Sequence, residues 1–138
     1  ALAMQTLYRD RTVVCVAGDG DFLMTGQDFA TAVQYELPVI VLVADNGIYG
    51  TIRMHQERDY PGRVIATNLR NPDFAAYALA FGGYGALVEK SADLPAAFAA
   101  ARASGKPSIL HLKIDPEAIT PTATLTGIRE KSLTGKSN

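Results

Sequence analysis

Thr12–Ala17 (TVVCVA) and Pro38–Ala44 (PVIVLVA) are short, nearly continuous apolar runs rich in Val and Ile. A strand with one wet face alternates polar and apolar residues, so an unbroken apolar run predicts a strand covered on both faces. Tyr84–Glu89 and Ser108–Ile114 are weaker strand candidates. Between these runs the spacing turns helical. Gln27–Glu36 directs Phe29, Ala32, Val33 and Leu37 to one side before Pro38 ends the pattern. Asp73–Phe81 and Asp93–Ala103 are Ala-rich, with Asn71-Pro72 and Ser91 as start signals and Gly82 and Gly105 as stops. The alternation predicts an α/β fold: a doubly wound, mostly parallel sheet with helices on both faces.

The composition agrees with one globular domain. The chain has 138 residues, 48% of them apolar and 20% charged, with a formal net charge of −1. That balance speaks against nucleic acid as a partner, since phosphate backbones call for a clear Lys/Arg excess. No apolar run approaches the roughly 20 residues that cross a bilayer, and a cytoplasmic location without membrane contact is expected. Cys15 is the one cysteine, which excludes a disulfide framework; amid valines it reads as a small buried hydrophobe. Ala1–Tyr8 looks helical but has no cap residue before it, so the domain, 1–119, is expected to be N-terminally truncated. Residues 120–138, rich in Thr, Ser, Gly and Lys, read as an extended C-terminal tail.

Ligands of open parallel sheets bind beyond the carboxyl ends of the strands. Gly18-Asp19-Gly20 follows the first strong strand and Asp45-Asn46-Gly47 the second. Gly18 and Gly20 let backbone amides approach an anion, and a helix starting near Asp21 or Phe22 would aim its first N–H groups at the same point. A bare carboxylate at Asp19 would repel a phosphate unless a hard cation stood between them. Mg²⁺ suits that role, taking oxygen ligands from one or two protein groups plus phosphate oxygens. Asn46 would add an amide oxygen and Ile48 a backbone carbonyl. Asp19 or Asn46-Gly47 alone would read as a cap or a turn; placed together after consecutive strands, they read as a Mg²⁺-diphosphate site.

Gly18-Asp19-Gly20, 25 intervening residues and then Asn46 resemble the fingerprint of thiamine diphosphate-dependent enzymes. The stretch GDGDFLMTGQDFATAVQYELPVIVLVADNGIYGTIRMHQ is similar to the acetolactate synthase-like branch, with its 2-oxo acid decarboxylases and carboligases. The resemblance runs from the opening helix to about Arg129. It implies the C-terminal, diphosphate-binding domain of such an enzyme, with thiamine diphosphate and Mg²⁺ as cofactors. By the same resemblance Asp19, Asn46 and the Ile48 carbonyl would ligate the metal. Gly18, Gly20, Asp21 and Phe22 would face the diphosphate, with Gly47, Tyr49 and Gly50 closing the other side. Thr51, Ile52 and His55 would line the substrate pocket. Asp45 stands where the family usually has Asn, and His55 where acetolactate synthases carry Trp.

The resemblance further implies a 2-oxo acid substrate, decarboxylation with transfer of the acyl unit to a second carbonyl, and a homodimer or homotetramer. The Glu that activates the cofactor belongs to a different domain, so this chain holds no catalytic residue and should be inactive alone. Glu36 and Glu57 are poor substitutes for it. Two other readings stand beside this one. A β subunit of a thiamine diphosphate-dependent 2-oxoacid oxidoreductase would bring several cysteines, where this chain has Cys15 alone. A non-catalytic cofactor-binding module would be favoured by loss of Asp19 or Asn46, and both are present.

Overall fold

The computed structural model describes residues 1–135. The chain divides into two compact units: Ala1–Asp45 with Asn71–Lys113, and Asn46–Arg70 with the chain from Ile114 onward.

The first unit carries α1 (Leu2–Leu7), β1 (Val14–Gly18), α2 (Asp19–Thr25), a 3₁₀ turn, α3 (Phe29–Gln34), β2 (Ile40–Asp45), α5 (Phe74–Ala80), β3 (Tyr84–Val88), α6 (Leu94–Ser104) and β4 (Ser108–Lys113). The second carries α4 (Gly50–Asp59), a short antiparallel pair, β5 (Ala118–Thr120) and β6 (Ala123–Thr124), and α7 (Leu125–Gly135).

Four strands form a wholly parallel sheet in the order β1-β2-β4-β3. Because strand side chains alternate between faces, β2 and β4 supply both cores. Val39, Val41, Val43 and Ile109 pack with Phe22, Phe29, Ala32, Phe74 and Ala78 on one face. Ile40 and Leu110 pack with Ala101 on the other, joined by Leu42, Leu112, Leu94 and Phe98. Helices α2, α3 and α5 therefore serve one face and α6 the other, as the alternation of runs predicts. Rings fasten the first layer: Phe22 meets Phe74 edge-on at 5.3 Å between centroids, and Tyr77 meets Phe81 at 4.9 Å.

The α5–β3 contact depends on one glycine. A Cβ on Gly85 would stand 2.1 Å from the carbonyl oxygen of Ala75, a backbone atom that cannot swing aside. Gly85→Ala should cost about 2 kcal/mol by forcing helix and strand apart. Urea unfolding checks this; a midpoint unchanged from wild type would show that α5 lifts freely.

Three sequence expectations change. The β1 run is not covered on both faces: Val14 is 40% and Val16 73% exposed, because β1 is an edge strand and α6 lies against β3 and β4. Helix α2 starts at Asp19 rather than near Asp21 or Phe22. Gly18 takes the extended cap conformation, and its N–H donates to Asp21 Oδ2 at 3.2 Å, so the first turn closes two residues early. The expected extended tail at 120–138 is largely helical, with α7 filling Leu125–Gly135; residues 136–138 lie outside the described residues. Leu125 is buried, and Arg129 is pinned by an ion pair within the same unit, contacts that a polar composition does not reveal.

Candidate cofactor site

Two groups of the expected residues are each assembled locally. In the first unit, the ladder pair Gly18↔Ala44 sets Asp19, just past the end of β1, beside Asp45, the last residue of β2. Asp19 opens α2 and is 4% exposed. Its Oδ1 accepts the Gly20 N–H at 2.9 Å, and its Oδ2 accepts Asn71 Nδ2 at 2.6 Å. Gly18, Gly20 and Asp21 form the same turn. The Phe22 side chain points into the core, which leaves only its main chain for a ligand.

Asp45 anchors a buried polar network. Its Oδ1 accepts the same Asn71 nitrogen at 2.7 Å, and its Oδ2 meets His111 Nε2 at 2.7 Å and Lys113 Nζ. Burial opposes ionisation of Asp45, but the hydrogen bonds from Lys113, His111 and Asn71 outweigh it and hold this carboxyl well below the usual range. Asp45 thus remains a carboxylate answered by a cation. His111 stacks edge-on against Phe74 at 5.1 Å and serves the network's structure.

In the second unit, Asn46 Oδ1 accepts the Ile48 N–H at 3.1 Å, an Asx turn, and Gly47 supplies the φ of +69° that the turn needs. A short antiparallel pairing holds the turn: Leu69 N–H donates to Gly47 O at 2.7 Å, and Tyr49 N–H to Thr67 O at 2.9 Å. Helix α4 begins at Gly50, where a Cβ would press Asn46 Nδ2 at 3.2 Å. Thr51, Ile52 and His55 are exposed on α4, and Arg58 donates to His55 Nδ1 at 2.7 Å.

Further along α4, Glu57 is completely buried. Arg129 Nε reaches its Oε2 at 2.7 Å while Arg129 Nη2 takes Oε1; Arg53 Nε and the Gly62 N–H add bonds at 3.0 and 3.1 Å. The Arg129 fork, against the penalty of burial and with help from Gly62 and Arg53, holds the Glu57 carboxyl at about 2.

Asp19 in the first unit offers carboxylate oxygens, and Asn46 and Ile48 in the second offer amide and carbonyl oxygens, the ligand type Mg²⁺ prefers. Among the described residues no three His, Cys, Asp or Glu side chains gather as a metal site, so a thiolate- or imidazole-rich centre has no support there. Asn71 Oδ1 is buried without a hydrogen-bond partner, an acceptor beside Asp19 that protein groups leave unanswered.

Sequence reasoning missed Asn71, taken only as a helix-start signal, along with Lys113 and the Glu57–Arg129 pair. One signal was present: His111 and Lys113, two apart at the end of a strand, must share a face.

Residues 1–112 match the model of a family described as "Thiamine pyrophosphate enzyme, C-terminal TPP binding domain". The chain is 34% identical over 116 residues to the acetolactate synthase isozyme 2 large subunit of Escherichia coli K12, covering 83% of this chain and 21% of that protein. It is 36% identical over 116 residues to the acetolactate synthase large subunit of Parasynechococcus marenigrum, covering 83% and 19%. Among solved structures, benzoylformate decarboxylase from Polynucleobacter necessarius superposes with a TM-score of 0.75 at 30% identity, covering 85% of this chain and 22% of that one. The 4-hydroxybenzoylformate decarboxylase of Rhodococcus jostii RHA1 gives 0.77 at 27% identity, covering 83% and 22%. The chain thus spans about a fifth of the length of the relatives it matches.

Proposed function

The chain belongs to the thiamine pyrophosphate enzyme family, as its C-terminal TPP-binding domain, and from that premise we propose that Asp19, Asn46 and the Ile48 carbonyl hold Mg²⁺ against the cofactor's diphosphate. Gly18, Gly20, Asp21 and Phe22 contribute main-chain groups on one side, and Gly47, Tyr49 and Gly50 on the other. The observation that carries this reading is the family match over residues 1–112. The buried Asp19 carboxylate and the oxygen-only donor set support it.

The intact enzyme, on this reading, decarboxylates a 2-oxo acid and passes the acyl unit to a second carbonyl. Thiamine diphosphate, when bound, supplies the electron sink that lets CO₂ leave. This chain's residues bind and orient. Thr51, Ile52 and His55, exposed on α4, face the substrate. The family resemblance implies that the activating carboxylate comes from outside this chain, and neither Glu57, saturated by guanidinium groups, nor Glu36, exposed just beyond α3, is placed to replace it. A homodimer or homotetramer would supply it from a neighbouring subunit. A cytoplasmic setting is part of the proposal; among the described residues no helix is long and apolar enough to cross a membrane.

The test is CO₂ release by the full-length protein from pyruvate, 2-oxobutyrate and benzoylformate, with Mg²⁺ and thiamine diphosphate present or absent. Cofactor-dependent release from at least one is expected, and none from any contradicts the activity. His55→Ala should change the kcat/KM ratio between pyruvate and benzoylformate by about tenfold; an unchanged ratio removes His55 from the pocket.

A further inference from the structure

We infer that Asn71 is a positioning residue for the cofactor's metal ion: its amide nitrogen ties the Asp19 carboxylate to Asp45, which His111 and Lys113 hold in place. The inference rests on the Mg²⁺ site proposed above and deepens it by assigning a residue outside the ligand set.

The Asn71 Nδ2 group has two hydrogens and spends them on two carboxylates, at 2.6 Å to Asp19 and 2.7 Å to Asp45. Both are short, as charge-assisted bonds are. Asp45 makes a firm anchor. It is 3% exposed, it faces Lys113 in the β2–β4 ladder, and its other oxygen is taken by His111 and Lys113. Beyond His111 Nδ1 lies Asp73 Oδ1 at 3.6 Å, so carboxylates flank the imidazole on both sides.

A simpler account would make Asn71 part of the entry to α5. The geometry does not support it. Asp73 alone caps that helix, accepting the N–H groups of Ala75 and Ala76 at 2.9 and 3.0 Å. Among the described residues the Asn71 side chain makes no bond to α5, and its Oδ1 is buried without a hydrogen-bond partner. A residue kept only for packing would do better without an unsatisfied acceptor.

The arrangement distributes charge as well as position. Two carboxylates meeting on one amide would compete for the same cation. Lys113 and His111 both engage Asp45 Oδ2, which ties that carboxylate to its own cation. With Oδ1 on the Gly20 N–H and Oδ2 on Asn71, the Asp19 carboxylate is held in a single orientation. Each carboxylate oxygen can accept more than one partner, so these bonds do not preclude ligation. Mg²⁺ demands near-octahedral geometry and rewards a fixed ligand. Asp45 is then matched by its own cation, Lys113, rather than added to the ligand set.

The experiment uses the full-length protein, stripped with a chelator and titrated with Mg²⁺ at saturating thiamine diphosphate by calorimetry. Asn71→Ala should raise the half-saturating Mg²⁺ concentration about tenfold or more, while kcat at saturating Mg²⁺ stays within about twofold of wild type. The thermal midpoint of the metal-free protein is followed in parallel. A purely structural Asn71 would lower that midpoint and leave Mg²⁺ half-saturation where it was. Should the Ala variant not fold, Asn71→Ser, which keeps one donor, is read by the same criterion and should fall between the two. A folded variant whose half-saturation stays within twofold of a Mg²⁺-dependent wild type overturns the inference alone. A wild type that needs no Mg²⁺ overturns the metal site itself, and the inference with it.

Discussion

Asp19→Asn in the intact enzyme should weaken Mg²⁺-dependent cofactor binding by about a hundredfold or more, the equivalent of ~3 kcal/mol. The substitution is nearly isosteric, so shape changes little. What changes is charge, and the number of oxygens falls from two to one. In the native chain one oxygen holds the Gly20 N–H and the other holds Asn71 Nδ2. With a single oxygen one of these bonds is lost, at about 1 kcal/mol of stability, while the metal loses the one carboxylate in its proposed ligand set. Asp45 cannot take over, because His111 and Lys113 already engage it. Stability and affinity therefore separate: the unfolding midpoint moves slightly and the Mg²⁺ titration moves far. A Mg²⁺ half-saturation within threefold of wild type would mean that Asp19 is only a helix-opening residue.

Glu57→Ala should open the α4–α7 contact at a cost of about 3 kcal/mol. Glu57 is fully buried, and its two oxygens receive Arg53, both arms of the Arg129 fork and the Gly62 N–H. Removing the carboxylate leaves two guanidinium groups and a backbone donor without their acceptor. The Arg129 side chain is 34% exposed, so water recovers part of the loss, which places the figure at the lower end for a broken buried pair. Exchange of the α7 amides should quicken by roughly a hundredfold, while amides of the parallel sheet, in the other unit, should not respond. Unchanged exchange in α7 would show that packing at Leu125 alone holds the helix.

The same pair sets a pH dependence with a definite sign. The folded Glu57 carboxyl lies at about 2, below its ordinary 4.5. Its stabilisation is therefore complete above pH 4.5 and is lost as the pH falls toward 2. The difference in stability between wild type and Glu57→Gln should be constant from pH 5 to 7 and shrink steadily below 4.5. Growth of that difference on acidification would contradict the assignment.

What could be read from the residues follows the range over which each interaction acts. The Val/Ile runs at 12–17 and 38–44 and the Ala-rich segments between Gly and Pro breaks report local preference and burial, and they led to the parallel sheet and to α5 and α6 within a few residues. Helix α7 escaped because its reasons are distant: Arg129 finds Glu57 72 positions earlier, and composition carries no trace of that pairing. Asn71 escaped for the same reason, its partners being Asp19 and Asp45, 52 and 26 positions away. Val16 was misjudged because its exposure depends on where the strand falls in the sheet order, which a Val-rich run does not record. At the site, Asp19 alone reads as a cap; it stood out only together with Asn46-Gly47 after the next strand and through the spacing of the family fingerprint. Asp45 looked like a departure from pattern until the register placed Lys113 opposite it.

Calorimetric titration of thiamine diphosphate into the chelator-treated full-length protein, with and without Mg²⁺, bears most directly on all of this. Saturable binding that needs Mg²⁺ in wild type and collapses in Asp19→Asn is the predicted result. Binding of equal strength in the presence of excess chelator, or no binding with Mg²⁺ restored, would contradict it.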